Sequence, residues 1–77
     1  GMWKSVDKRL ADFLLNEANI EGTNILNITH DTIGNHLGNP REVVTRMLKY
    51  FVGEGFISLS RGTIEIIDKD GLEKIIV

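Results

Sequence analysis

The architecture of this chain can be worked out from one segment, NPREVVTRMLKYFV, which runs from Asn39 to Val52. Its first residues predict a helix start, because Asn39 can act as the N-cap, Pro40 suits the first turn, and Glu42 stands three residues after the cap. Its apolar residues then recur at the spacing of a buried helical stripe. They are Val44, Met47, Leu48, Phe51 and Val52. We therefore expect one amphipathic helix over Asn39–Val52.

The opposite face of this predicted helix is polar. Arg41, Thr45 and Lys49 stand at i, i+4 and i+8. Glu42 and Arg46 form a second row beside them. The hydrogen-bonding side chains therefore cluster on one outward face near the amino end, which is the part of a recognition helix that reaches the base edges of DNA.

A shorter helix is predicted directly before this segment. Thr29 is a cap for the helix Thr29–Leu37, and Gly38 follows as a left-handed terminator. Its inward residues are Ile33 and Leu37. Gly34 stands in mid-helix, where glycine costs about 1 kcal/mol against alanine unless tightly crossing helices need the missing side chain. Because only Gly38 and Asn39 separate the two helices, the chain must turn sharply, and a helix-turn-helix is predicted.

The amino-terminal part of the chain predicts a further helix and a strand. From Trp3 to about Ile20, apolar residues recur at helical spacing, and Ser5 is a candidate cap. The apolar positions are Val6, Leu10, Phe13, Leu14 and Ala18, and Lys4, Lys8, Arg9, Asp12 and Glu17 cover the other side. After a turn at residues 21–24, the β-prone run Ile25–Ile28 predicts a short strand.

The carboxyl-terminal part predicts a β-hairpin and a last helix. Phe56–Ser60 and Thr63–Ile67 alternate in polarity, and Arg61-Gly62 between them forms a tight turn. Asp68–Val77 predicts a short helix whose Leu72, Ile75 and Ile76 close the core. The aromatic residues expected in or beside the core are Trp3, Phe13, Phe51 and Phe56. The predicted fold is α+β and mainly helical, a winged helix-turn-helix with three helices, a short strand, a β-hairpin wing and a short C-terminal helix.

Length and composition limit the classes of protein that fit. Seventy-seven residues make one small domain, and the lack of cysteine excludes disulfides, thiol nucleophiles and zinc fingers. No apolar run approaches the roughly 18 residues of a membrane span, and no signal peptide opens the chain, so we expect a cytoplasmic protein without a membrane contact. Gly1-Met2 resembles a cleavage remnant, and we assign the domain to residues 3–77.

The distribution of charge matters more than its total. The net charge of −2 argues mildly against an acidic partner such as nucleic acid. Within Asn39–Val52, however, three cations stand against one carboxylate, a net of +2, so the rest of the chain carries −4. Positive charge is therefore concentrated in the predicted polar helix. A winged-helix module that binds protein and does not read DNA also fits the overall acidity, and this alternative stays open.

Patterns typical of catalysis or metal binding are missing from the sequence. There is no nucleophile–base pair, phosphate-cradling glycine loop or spaced carboxylate cluster, so we expect no enzyme and no cofactor site. His30 and His36 are six residues apart and do not share a helical face, as metal ligands at i, i+4 would. We expect both to be surface histidines that hold no metal.

An ordered set of motifs across the chain resembles the DNA-binding domain of the Crp/Fnr transcription regulators, the cyclic-AMP receptor protein family. The motifs are Leu26-x-Ile28-Thr29, Ile33-Gly34-x-x-Leu37-Gly38, Arg41-Glu42-Val43-Val44-Thr45-Arg46-x-Leu48, Gly55-Phe56-Ile57, Arg61-Gly62-Thr63-Ile64-x-Ile66 and Asp68-x-x-x-Leu72. The family often has serine at the position of Pro40 and threonine at that of Val43. Those lost hydroxyls would remove contacts to the DNA backbone.

The resemblance implies sequence-specific binding of double-stranded DNA, with helix 39–52 in the major groove. It assigns the reading of bases to Arg41, Glu42 and Arg46. The candidates for contacts to DNA phosphates are Thr29, His30, Thr45, Lys49 and Arg61. The first two of these open a helix, whose free amides and positive dipole end suit phosphate.

The resemblance also implies a larger bacterial-type regulator. A sensor barrel and a long dimerisation helix would precede Trp3 and are absent from this chain, so the effector stays unknown and no cofactor is expected in this part. The full-length parent would be a homodimer on a near-palindromic operator, with RNA polymerase as a further partner.

Several of these side chains also have purely structural explanations. Glu42 can complete a capping box with Asn39, or form a surface ion pair with Arg46 worth a few tenths of a kcal/mol. Thr29 is a helix cap first, and Arg61 belongs to the turn of the hairpin.

Overall fold

The computed structural model describes residues 5–77, so the predicted helix start at Trp3, the core position of Trp3 and the Gly1-Met2 remnant lie outside it. The elements of the described residues are α1 (Val6–Glu21), β1 (Ile25–Leu26), α2 (His30–Leu37), α3 (Arg41–Gly53), β2 (Ile57–Ser60), β3 (Thr63–Ile66) and α4 (Lys69–Ile76). The predicted α+β winged helix-turn-helix is confirmed. No helix in this part of the chain is both long and apolar enough to span a bilayer.

One hydrophobic core lies between the helices and the sheet. Leu14 of α1, Phe51 of α3 and Leu72 of α4 have no exposed surface, and each such burial contributes about 1.5–3 kcal/mol. α1 packs chiefly against α4, which closes the core as predicted, with Ile75 and Ile76 partly buried at its edge. The described aromatic residues predicted for the core are buried (Phe13, Phe51) or half-buried (Phe56).

The apolar stripe of α3 is narrower than predicted. Val44, Leu48 and Phe51 are fully buried, and Met47 is half-buried. Val52 is 41% exposed, which contradicts its predicted inward position. Eight residues beyond Val44 a helix has advanced two turns plus about 80°, so Val52 lies on the flank of the helix.

Side chains cap two of the helices. The Thr29 hydroxyl accepts a hydrogen bond from the Thr32 amide at 3.1 Å, as predicted for a cap of α2. Asp68 caps α4 by accepting from the Gly71 amide at 3.0 Å, so it precedes that helix and is not its first residue. Ser5 stands at the N-cap of α1, but its hydroxyl donates to a neighbouring carboxylate and makes no capping bond.

The turn between α2 and α3 is closed by backbone contacts around Gly34. The amides of Gly38 and Asn39 both donate to the Gly34 carbonyl oxygen, at 2.8 and 3.0 Å. Gly38 has a φ of 73°, the left-handed conformation predicted for a helix terminator. A Cβ atom on Gly34 would lie 2.6 Å from the Asn39 carbonyl oxygen. The predicted close packing is therefore confirmed, although the neighbour is the backbone of the turn and not a crossing helix.

The predicted N-cap of α3 is wrong. Pro40 occupies the N-cap, and α3 begins with the next residue. The alternative interpretation of Glu42, a capping box with Asn39, is also wrong, because the Asn39 amide is already bonded to the Gly34 carbonyl oxygen of α2. Its Oδ1 accepts a hydrogen bond at 3.3 Å from Arg9 of α1. The local sequence predicted that Asn39 would cap α3. In the structure its side chain instead bonds to Arg9, which lies thirty residues earlier in the chain.

The three strands form one antiparallel sheet in the order β1-β3-β2. The predicted hairpin is present, each strand one residue shorter at its outer end, with its turn at Arg61-Gly62. β1 covers only the first half of the predicted run Ile25–Ile28 and pairs Leu26 with Ile64 of β3. The sequence did not predict this pairing, which attaches the wing to the helical part of the domain.

We predict that Gly34→Ala lowers the free energy of unfolding by about 1–3 kcal/mol, because the new methyl group overlaps the Asn39 carbonyl oxygen. Gly53→Ala is the matched control. Gly53 also lies in a helix, and a Cβ there would meet no atom within 4 Å. We expect that control to leave stability unchanged or to raise it by up to about 1 kcal/mol. Urea denaturation followed by circular dichroism measures both, and equal stability of the two variants would contradict the prediction.

Candidate nucleic-acid interface

The outer face of α3 carries the polar side chains that its sequence predicts. The buried face of the helix is fixed by Val44, Leu48 and Phe51, so the opposite face must point away from the core. The side chains that line one shallow depression of about 380 Å³ on this outer face are Arg41, Glu42, Thr45, Arg46 and Lys49. Thr45 is half-buried and the other four are exposed.

A second depression of about 370 Å³ adjoins this face, between the start of α2 and the tip of the wing. It brings together side chains that are as much as 36 residues apart in the chain. The candidate residues among its lining are Thr29, His30, Arg41 and Arg61. Asp31 also lines it, and sequence reasoning did not single out this residue. We call the two depressions together the α3–wing surface.

The charge of the α3–wing surface is positive although the chain is acidic. Its cations are Arg41, Arg46, Lys49 and Arg61, against the carboxylates of Asp31 and Glu42, a net of +2. The amino end of α2 adds the positive end of a helix dipole at this surface. The surface therefore favours an anionic partner.

A hydrogen bond joins α2 to α3 within the α3–wing surface. The Nδ1 atom of His30 lies 2.8 Å from the Thr45 hydroxyl oxygen. His30 is half-buried, and the expectation of a surface histidine did not include its bond to Thr45. His36 is exposed, with its ring centroid 4.6 Å from that of Phe13. Within residues 5–77, no three His, Cys, Asp or Glu side chains gather as metal ligands would.

Arg9 holds the turn that orients α3. Its guanidinium donates to the carbonyl oxygen of Leu37 at the end of α2 and to Asn39 Oδ1 in the turn. A cation at this end of a helix also complements the helix dipole. The sequence predicted Arg9 on the solvent side of α1, and nothing local to α1 indicates the contact. Its function is to position α3 from a third helix.

The two positions that depart from the family pattern lie at different places on α3. Pro40 is exposed at the N-cap, where its ring leaves no amide to donate. Val43 is half-buried and lines an apolar groove with Val6, Met47 and Tyr50. A hydroxyl is missing from both positions.

The fold has counterparts among known proteins. A Crp-like helix-turn-helix domain matches residues 8–75. The chain belongs to the Crp-like helix-turn-helix family. This match confirms the resemblance to the Crp/Fnr regulators.

Solved and curated relatives agree with this assignment. A Crp/Fnr-family transcriptional regulator from Eubacterium rectale has the same fold, with a TM-score of 0.95 and 63% identity over 97% of this chain. The catabolite activator protein of Thermus thermophilus gives a TM-score of 0.79 and 30% identity over 91% of it. The transcriptional regulatory protein btr of Bordetella pertussis is 34% identical over 91% of it. The chain spans about a third of each relative, 35%, 33% and 32% of their lengths.

We predict that Arg9→Met lowers the free energy of unfolding of the Crp-like domain by about 1–2 kcal/mol, because the last carbonyl of α2 and the Asn39 side chain lose a charged donor. Methionine keeps most of the apolar stem, so the loss reports the guanidinium. Lys8→Met, the neighbouring change on α1, should alter stability by less than about 0.5 kcal/mol. Chemical denaturation compares the two, and a larger loss for Lys8→Met would overturn the assignment.

Proposed function

We propose that this domain is the operator-reading module of a Crp/Fnr-type transcription regulator, with α3 in the major groove of DNA. The observation that carries the proposal is the outward presentation of Arg41, Glu42 and Arg46 on one rigid helix whose opposite face is buried. A helix packed on a core holds its side chains in fixed relation, as sequence reading requires. These three residues are the proposed base-reading set.

The side chains of this base-reading set can form hydrogen bonds with the edges of bases. The planar arginine fork matches the O6 and N7 acceptors of guanine, and a glutamate can accept from the N4 amine of cytosine. Each good contact of this kind discriminates by about 1–3 kcal/mol against a wrong base. Since no capping box engages Glu42 with Asn39, its carboxylate is not held by the helix start.

The remaining candidate residues lie around the base-reading set, and their side chains can donate hydrogen bonds to DNA phosphates. Lys49 continues the face of α3, while Thr29, His30 and Arg61 line the depression between α2 and the wing. We assign these four residues to contacts with the DNA backbone, which fix position and carry salt dependence but no sequence information. Thr45, the fifth candidate, already shares a hydrogen bond with His30.

The proposal extends to a symmetric arrangement in a longer protein. Residues 3–77 would form the DNA-binding domain of a regulator about three times as long, consistent with the length of its relatives. Two copies of the domain would set their α3 helices in successive major grooves about 34 Å apart, on a near-palindromic operator. RNA polymerase is a further proposed partner of the whole regulator.

Selection from a random duplex pool tests whether the domain reads sequence. We fuse the 77-residue chain to a neutral dimerising helix, because one copy lacks the avidity gained from a second half-site. The expected result is enrichment of a near-palindromic site with half-sites about one helical turn apart. Binding with a salt slope of about −0.9 per phosphate contact but no enriched site would reject base reading. Failure of the dimerised chain to bind any duplex would favour the protein-binding alternative.

Single substitutions separate base reading from phosphate binding. We predict that Arg46→Ala removes discrimination at one base pair, a loss of about 1–3 kcal/mol that is about fivefold to 150-fold in affinity for the selected site. Lys49→Ala should weaken binding to all duplexes alike and reduce the salt slope by about 1.

Lys74→Ala is the matched control, since Lys74 is an exposed lysine on α4 and outside the α3–wing surface. It should change neither affinity nor salt slope. Fluorescence anisotropy with the selected duplex and single-base variants gives all the values. A base-selective loss for Lys49→Ala would contradict its assignment to phosphate.

A further inference from the structure

The hydrogen bond between His30 and Thr45 joins two helices inside the proposed DNA-binding surface. Its partners are 15 residues apart, on the first turn of α2 and the outer face of α3. A threonine in mid-helix often turns its hydroxyl to the carbonyl four residues earlier in its own helix. The Thr45 hydroxyl instead reaches the histidine of a second helix, and both residues are half-buried.

The hydrogen bond with Thr45 engages one ring nitrogen of His30 and leaves the other available for a second contact. Nδ1 of His30 is the nitrogen that contacts Thr45. Since no buried side-chain nitrogen or oxygen of residues 5–77 lacks a partner, Nε2 must be open to solvent. The ring therefore has one edge held by the protein and one nitrogen available to a ligand, in a depression that Arg41 and Arg61 also line.

The direction of the hydrogen bond determines what that second nitrogen can do. In a neutral imidazole one nitrogen donates and the other accepts, and the partner of one nitrogen decides the state of the other. If the Thr45 hydroxyl donates to Nδ1, then Nε2 carries the proton and can donate to a phosphate oxygen. If Nδ1 donated to Thr45, Nε2 would present a lone pair, which a phosphate repels.

We infer that Thr45 is a positioning residue, whose hydroxyl donates to His30 Nδ1 and so fixes the ring with a protonated Nε2 that donates to a DNA phosphate. This inference rests on the proposed function and deepens it, because Thr45 acts on the DNA backbone through His30 and not as a phosphate ligand of its own. The other charged groups of that depression are Asp31, Arg41 and Arg61. Arg41 of α3 and Arg61 of the wing would attract the same phosphate, but they do not replace the N–H donor at Nε2 of His30.

The tautomer of His30 tests the inference without DNA. Nitrogen-15 NMR of the 77-residue chain, at a pH of about 8 where imidazoles are neutral, distinguishes a protonated from an unprotonated ring nitrogen. We expect an unprotonated Nδ1 and a protonated Nε2 for His30, and a mixture of both tautomers in Thr45→Val. Thr45→Ser keeps the hydroxyl and should restore the original spectrum. A protonated Nδ1 in the unaltered chain would overturn the inference.

Binding to a fluorescein-labelled duplex of fixed arbitrary sequence supplies the second test, since non-specific affinity depends on phosphate contacts. Each variant is measured as a fusion to the same neutral dimerising helix. Thr45→Val should weaken binding about threefold to tenfold, and Thr45→Ser should lie within about twofold of the unaltered chain. In a chain that already carries His30→Ala, Thr45→Val should cause no further loss. A further loss in that double variant would show that Thr45 binds phosphate directly and would reject the inference.

Two controls keep the outcomes separate. Thr23→Val removes a threonine hydroxyl that accepts from the Ile25 amide, away from the α3–wing surface, and should leave duplex binding unchanged. Thermal denaturation verifies that each variant is folded. If the unaltered chain in its dimerised form binds no duplex, or if Lys49→Ala and Arg61→Ala leave its affinity unchanged, the proposed function fails. The NMR measurement then still decides whether Thr45 fixes the ring of His30.

Discussion

The approach of the Asn39 carbonyl oxygen to Gly34 sets the relation between α2 and α3. At 2.6 Å from the position of a Cβ atom, this oxygen leaves no volume for any side chain at residue 34, and the glycine carbonyl accepts two amides from the same turn. The turn is therefore held by backbone on both sides and has little freedom to open. Because α3 starts two residues after this contact, the direction of its polar face follows from it.

The α3–wing surface is assembled from elements that are far apart in the sequence. α3 contributes a row of polar side chains, and α2 contributes its first turn. The wing reaches the same surface because β3 is paired with a strand on each of its edges. The positive charges gather there while the chain as a whole is acidic. A polyanion is thus attracted to the α3–wing surface alone, and the acidic rest of the protein disfavours its approach from other directions.

Periodic features could be predicted from the sequence because they depend on near neighbours. The helical stripes, the hairpin and its turn, the Thr29 cap and the left-handed Gly38 all follow from spacing and local backbone chemistry. Features made by distant residues could not be predicted. Asn39 has the chemistry of a cap, yet Arg9 and the α2 carbonyl occupy its polar groups. The pairing of β1 with β3 and the bond between His30 and Thr45 likewise depend on how whole elements pack.

The Arg9 contact also has a mechanical consequence. The guanidinium of Arg9 on α1 holds the turn between α2 and α3, so two hydrogen bonds link α1 to that turn in addition to the contacts of the core. A rotation of α1 would therefore be transmitted through these two hydrogen bonds to the start of α3.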